Sequence, residues 1–296
     1  MAEQPGEIQL SHLEQTIYFA SQRQGVNLLD ADVVTRQVDV SRKHAVNLLS
    51  SMARKGALYR IGRGRYVVIP PDVLYGRKSY VIDPHLIIDE LIQADGAGNA
   101  YYVAYQSAAA IHGAAHQLPF ALMIATPRQR RPIQLGQARI QFIQLKPSKF
   151  FGFREMVYHE ARLKVSDREK TILDCLERFD LCGGVDEVAR TISVLVEEIA
   201  ADRLLDYLKR MDNQALTQRL GLILERLSTL QDSGELPSAA LPAGQASRAV
   251  PDEGLIAGIA RLVGEHVYPL DPHGPAGGEL NTRWRIRENI DVLKEL

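Results

Sequence analysis

The chain has 296 residues, 46% hydrophobic and 24% charged, with a net charge of −1; two domains are expected at this length. No apolar run approaches the ~20 residues a membrane helix needs, and the first residues lack the basic and apolar regions of a leader. The two cysteines, Cys175 and Cys182, are too few for a disulfide scaffold or a four-ligand zinc site, so a cytoplasmic chain without membrane contact is expected.

The even charge balance hides an asymmetry. Residues 1–170 hold 22 Lys and Arg against 15 Asp and Glu, and the remainder holds 13 against 21. Such a split is expected when one end of a chain meets a polyanion.

In chain order, a helix is predicted over about 10–23, with Leu13, Ile17 and Ala20 inward. Asp30 then N-caps a short helix over 31–37, Asp39-Val40 makes a tight turn, and Ser41 caps a helix over 41–56 that Gly56 ends. In that helix Ala45, Leu48, Leu49, Met52 and Ala53 share one face. Lys43, Asn47, Ser50 and Arg54 share the opposite one. A hairpin follows over 58–70, where Gly62 and Gly64 permit positive φ and put Arg63 at the tip between Arg60 and Arg65.

From Ser41 to Arg65 there are seven Lys and Arg and no Asp or Glu. Helix, turn, helix and basic hairpin together predict a winged helix-turn-helix entering a major groove. Its expected DNA contacts are Ser41, Arg42, Lys43, His44, Asn47, Ser50 and Arg54 on the helix, with Arg60, Arg63 and Arg65 on the wing. Phosphate contacts by such residues supply sequence-independent affinity.

After a linker over 76–84, a second domain is expected over 85–296. A helix is predicted over 84–93, a strand at 101–103 and a small-residue helix over 106–112. Strands follow over 120–125, 138–145 and 156–163. Helices are then expected over 167–179, 184–199, 201–210 and 213–230, with a loose loop over 231–252. A helix over 254–264 and a last strand over 280–286 around Trp284 complete the chain.

Single residues in this domain have mostly structural readings. Ser166-x-x-Glu169 reads as a capping box, and Lys170 and Asp174 as an i, i+4 ion pair, with Asp174 as an acid-base group the alternative. His112 and His116 have the spacing of a zinc helix but lack the accompanying glutamate and a third ligand, so no metal or cofactor is expected. Cys175 and Cys182 read as small buried thiols. From Gly96 to Arg154 the chain again has no acid. Arg128, Arg130, Arg131, Lys146 and Lys149, on two loops, are expected to form a second nucleic-acid surface, or else to pair with the acidic helices that follow.

Three segments carry a family resemblance. Tyr101-Tyr102-Val103-Ala104-Tyr105-Gln106-Ser107-Ala108-Ala109-Ala110-Ile111-His112-Gly113 resembles the "YY-x-S-x-x-SAL-x-x-HG" stretch of AbiEi antitoxins. Val165-Ser166-Asp167-Arg168-Glu169-Lys170-Thr171-Ile172-Leu173-Asp174, with Gly183-Gly184-Val185-Asp186-Glu187-Val188, is similar to "VSDLERTLLD…GG-x-x-EV", Lys170 standing where the family carries Arg. Arg219-Leu220-Gly221-Leu222-Ile223-Leu224 resembles "RLG-x-LLE". The resemblance covers about 10–230 and does not extend to 231–279.

It implies an antitoxin that represses its own toxin-antitoxin operon by binding inverted repeats in double-stranded DNA. It also implies one that counteracts a nucleotidyltransferase toxin, in many members without stable contact. The expected fold is α+β: an N-terminal winged helix over 1–75, then a mixed α/β domain with a helical C-terminal part. No enzymatic activity is expected; a nuclease, an RNA-modifying enzyme or a ligand-responsive regulator is the alternative.

Overall fold

The computed structural model describes residues 8–62, 64–74, 82–94, 100–159, 161–232 and 252–293. It is a mixed α+β chain whose contacts divide it into two compact units, residues 1–99 with 131–141, and residues 100–130 with 142–296. The sequence division put its boundary at 76–84. The contacts instead keep residues 82–94 with the first unit.

In the first unit, α1 (His12–Gln24), β1 (Leu28–Leu29), α2 (Ala31–Val38) and α3 (Arg42–Arg54) precede the hairpin β2 (Leu58–Gly62) and β3 (Arg65–Val68). The short helix α4 (Pro71–Leu74) follows, and α5 (Ile88–Ala94) comes after a 3-10 turn at Pro84–Leu86. The helix expected over 84–93 therefore opens as 3-10, with Asp83 accepting the His85 amide (2.9 Å).

The three strands form an antiparallel sheet in the order β1-β3-β2. Ile17, Leu29, Val34, Ala45, Leu49, Met52 and Tyr66 are buried together beneath it.

Local chemistry sets the helix ends. Ser11 and Glu14 form a reciprocal capping box on α1. Burial pushes the Glu14 carboxyl up, but its ion pair with Lys55 and the Ser11 amide outweigh this and bring it down to about 2. Asp30 and Ser41 cap α2 and α3 as their sequence positions predict, and Asp39 ends α2 in the left-handed region at φ 48°. Gly56 and Gly64 have positive φ; Gly62 does not.

The carboxylate of Glu90, on α5, accepts the backbone N–H of Leu28 (2.6 Å) and of Asn27 (3.1 Å). Those amides lie at the start of β1. The bonds hold α5 to the small sheet, which is the physical reason α5 groups with the first unit.

The second unit opens with β4 (Tyr102–Val103), α6 (Tyr105–Ile111) and β5 (Leu122–Thr126). Next in the chain come β6 (Ile133–Leu135) and β7 (Ala138–Gln144), of which β6 and the first part of β7 group with the first unit, then β8 (Phe153–Tyr158) and β9 (Ala161–Ser166). The sheet order is β6-β7-β5-β4-β9-β8, with β4 and β9 parallel. Helices α7 (Arg168–Glu177), α8 (Val185–Leu195), α9 (Ala201–Met211), α10 (Gln214–Asp232) and α11 (Glu253–Ala260) follow. A small sheet of β10 (Tyr268–Pro269), β12 (Ile286–Glu288) and β11 (Glu279–Asn281) ends the unit.

Several expectations need correction. The strand expected over 156–163 is two antiparallel strands that reverse after His159, which has φ 51°. The strand expected over 280–286 is likewise a hairpin, with Trp284 in its turn. Ser166 does not form a capping box with Glu169. Asp167 is the N-cap of α7 and accepts the Lys170 amide (2.8 Å), while Glu169 accepts the Ala200 amide (2.7 Å) at the start of α9. Ser166 stays in β9, where its hydroxyl meets that of Thr171 (2.7 Å). Most of the loop expected over 231–252 lies outside the described residues.

Trp284 is buried against Gly221 of α10, and its indole N–H donates to Glu225 (2.6 Å). Arg219, two residues before Gly221, donates twice to the Pro269 carbonyl (3.1 and 3.0 Å). The Arg-Leu-Gly segment of α10 thus docks the small C-terminal sheet, through β10 and the turn between β11 and β12.

Candidate nucleic-acid interface

Helix α3 turns Ala45, Leu48, Leu49 and Met52 into the core and leaves Arg42, Lys43, His44, Asn47, Ser50 and Arg54 exposed. At 100° per residue, Lys43, Asn47, Ser50 and Arg54 share about 60° of arc. Ser41 is exposed as well, although its hydroxyl accepts the His44 amide (3.3 Å) and is committed to capping. The Arg42 guanidinium forms an ion pair with Asp32 of α2. Ser50 Oγ lies 3.5 Å from the Tyr66 hydroxyl.

On the hairpin, Arg60 is exposed and its Nε donates to the Gly62 carbonyl (3.2 Å). Arg65 is half-buried and reaches the Ala94 carbonyl (3.4 Å). Arg63, the residue expected at the tip, lies outside the described residues. The structure thus gathers Lys43, Asn47, Ser50 and Arg54 on one exposed face and engages Arg42 and Arg65 within the first unit. Exposed Val46 on α3 was missed; only its departure from the buried i, i+3, i+4 spacing could have marked it.

In the second unit, Leu145 donates its amide to Thr126 (2.8 Å), which brings the loop carrying Arg128 and Arg130 beside the one carrying Lys146. Arg128 and Lys146 are exposed. Arg130 lies over the Phe142 ring, 5.8 Å from its centroid. Lys149 is ion-paired with Glu177, so for this residue the pairing with an acidic helix applies. Arg131 groups with the first unit.

Of the groups weighed for catalysis or metal, His112, Lys170 and Asp174 are engaged internally, while His116 is exposed. Helix α6 ends at Ile111, so His112 and His116 do not share a helical face. His112 Nε2 lies 2.7 Å from the Ser166 carbonyl, and burial lowers its pKa. Lys170 and Asp174 form an ion pair, both fully buried, and Tyr102 donates to Asp174 (3.2 Å). The Lys170 ammonium also lies over the rings of Tyr102 and Phe151. Burial pushes the Asp174 carboxyl up against the pull of that ammonium.

Cys175 and Cys182 are buried free thiols. Among the described residues there is no cluster of His, Cys, Asp and Glu able to hold a metal and no helix long and apolar enough to cross a membrane.

Residues 101–226 match the family model of the AbiEi antitoxin C-terminal domain, and the chain carries an AbiEi-type antitoxin domain. The structure is similar to that of the RV2827C protein from Mycobacterium tuberculosis. The TM-score is 0.62 at 15% identity, covering 94% of this chain and 92% of that one. At this identity the likeness shows the fold alone. No curated protein matches the sequence.

Proposed function

We propose that the first unit is a winged helix-turn-helix and that the chain is a DNA-binding antitoxin. In this reading it represses its own toxin-antitoxin operon in the cytoplasm and counteracts a nucleotidyltransferase toxin through the second unit. The observation that carries the DNA reading is the exposed face of Lys43, Asn47, Ser50 and Arg54 on a helix without an acid. Helix α3 is the recognition helix, and the β2–β3 hairpin is the wing. The antitoxin domain supports a toxin partner, and no catalysis is assigned to either unit.

Lys43→Ala or Asn47→Ala should weaken binding to the preferred duplex by about 1–3 kcal/mol and relax base preference, because these side chains reach base edges. The full chain would be used to select a preferred duplex from a randomised pool, and gel shifts on that duplex and a scrambled one give the readout. Equal losses on both duplexes would confine the two residues to phosphate contact.

The second unit is assigned the antitoxic surface on the loops of Arg128, Arg130 and Lys146, with Arg131 and Lys149 in the same acid-free tract. Changing Arg128, Arg130 and Arg131 together to Ala should leave the fold intact: exposed side chains such as Arg128 and Arg131 contribute within about 0.5 kcal/mol, and the half-buried Arg130 gives up its contact over Phe142, about 0.5–1 kcal/mol. The triple variant should lose rescue of toxin-expressing cells more than it loses duplex affinity. Full rescue by a folded triple variant would remove the assignment.

A further inference from the structure

The reading face of α3 is not wholly polar. Val46 lies one turn after Arg42 and one turn before Ser50, beside Lys43, and 45% of it is exposed. The other large aliphatic residues of this helix, Leu48, Leu49 and Met52, are buried. Val46 therefore falls outside the inward spacing and sits in the N-terminal half of α3, the part of a recognition helix that meets base edges.

Valine has lower helix propensity than Ala, Lys or Arg, so local helix stability does not favour it at an exposed position. In a major groove it meets a specific complement, because thymine alone among the four bases presents a methyl group there. The occupant is set by charge: α3 carries Lys43, His44 and Arg54 and no acid, and Asp32 of the neighbouring helix α2 is paired with Arg42. We propose that Val46 is a specificity-determining residue that packs against the C5-methyl of a thymine in the major groove. The inference rests on the duplex-DNA reading of the same helix.

The test uses the full chain and a duplex enriched from a randomised pool, with each thymine replaced in turn by deoxyuridine, which removes only the methyl group. One thymine should stand out, its replacement weakening wild-type binding about fourfold, the equivalent of one buried methyl or methylene group. Val46→Ser, which lacks both methyls, should bind the thymine and deoxyuridine duplexes equally. Val46→Thr, which keeps one methyl, should still discriminate between them. Circular dichroism on both variants checks that α3 is intact.

If no thymine is sensitive, or if Val46→Ser discriminates as the wild type does, the assignment of Val46 is overturned while the DNA reading stands. Failure to enrich any duplex would overturn the DNA reading and this inference with it. A loss for Val46→Ser that is equal on every duplex, with wild-type sensitivity spread evenly over all thymines, would show that Val46 only shapes the helix surface.

Discussion

Gly221→Ala should destabilise the second unit severely, despite adding a better helix former to α10. A Cβ at this position would lie 1.9 Å from the Trp284 ring, with two further ring carbons at 2.2 and 2.5 Å. The indole is fully buried and its N–H is held by Glu225, so the ring cannot turn aside without losing that bond. Alanine gains about 1 kcal/mol of helix propensity over glycine. Overpacking costs about 1–3 kcal/mol and occasionally more, and an overlap this deep falls at the upper end.

The chain has one tryptophan, so its fluorescence reports this packing directly. The variant should show a red-shifted emission and a lower unfolding midpoint. Adding Trp284→Leu should recover part of the loss, followed by circular dichroism because the fluorophore is gone. A Gly221→Ala protein as stable as wild type would contradict the close packing of α10 on the indole.

The second large effect is expected from the ion pair beneath Phe151 and Tyr102. Asp174→Leu leaves the Lys170 ammonium buried without its carboxylate, and breaking a buried pair by removing one partner costs about 3–5 kcal/mol. Replacing both residues, Lys170→Met with Asp174→Leu, removes the stranded charge and should recover most of that loss, since apolar replacements of buried pairs are often neutral or stabilising. Urea unfolding of the single and double variants, followed through Trp284 emission, makes the comparison. A double variant as unstable as the single one would mean that the pair contributes a geometry that hydrophobic packing cannot replace.

How much of this was legible in the sequence depended on the reach of each interaction. Helices α2 and α3 were legible because their caps, Asp30 and Ser41, bond amides three residues away and their apolar residues keep a helical period. The role of Glu169 was not, because Ser-x-x-Glu satisfies a local rule while its carboxylate bonds Ala200, 31 positions on. The reversal between β8 and β9 was hidden because His159 adopts positive φ without a glycine at that position.

Among the residues proposed to touch nucleic acid, exposure of Lys43, Asn47, Ser50 and Arg54 followed from helical spacing alone. The ion pairs of Arg42 with Asp32 and of Lys149 with Glu177 depend on other elements, and spacing carries no trace of them. The Gly in Arg219-Leu220-Gly221 was readable as pattern. Its cause, an aromatic ring from 63 residues further along the chain, belongs to tertiary structure.

The carboxylate of Glu90 bears on how this protein can be cut into pieces. A fragment ended at residue 75 keeps all three strands of the first sheet but leaves the Asn27 and Leu28 N–H groups without the acceptor supplied by α5. Open strand donors of this kind are templates for pairing with another chain. Self-association of such a fragment on DNA would then imitate the dimer expected if the proposed repression on inverted repeats holds, and its stoichiometry would say nothing about the full chain. The smallest N-terminal piece suited to counting protomers on DNA therefore extends through Ala94, where the strand end is closed from within.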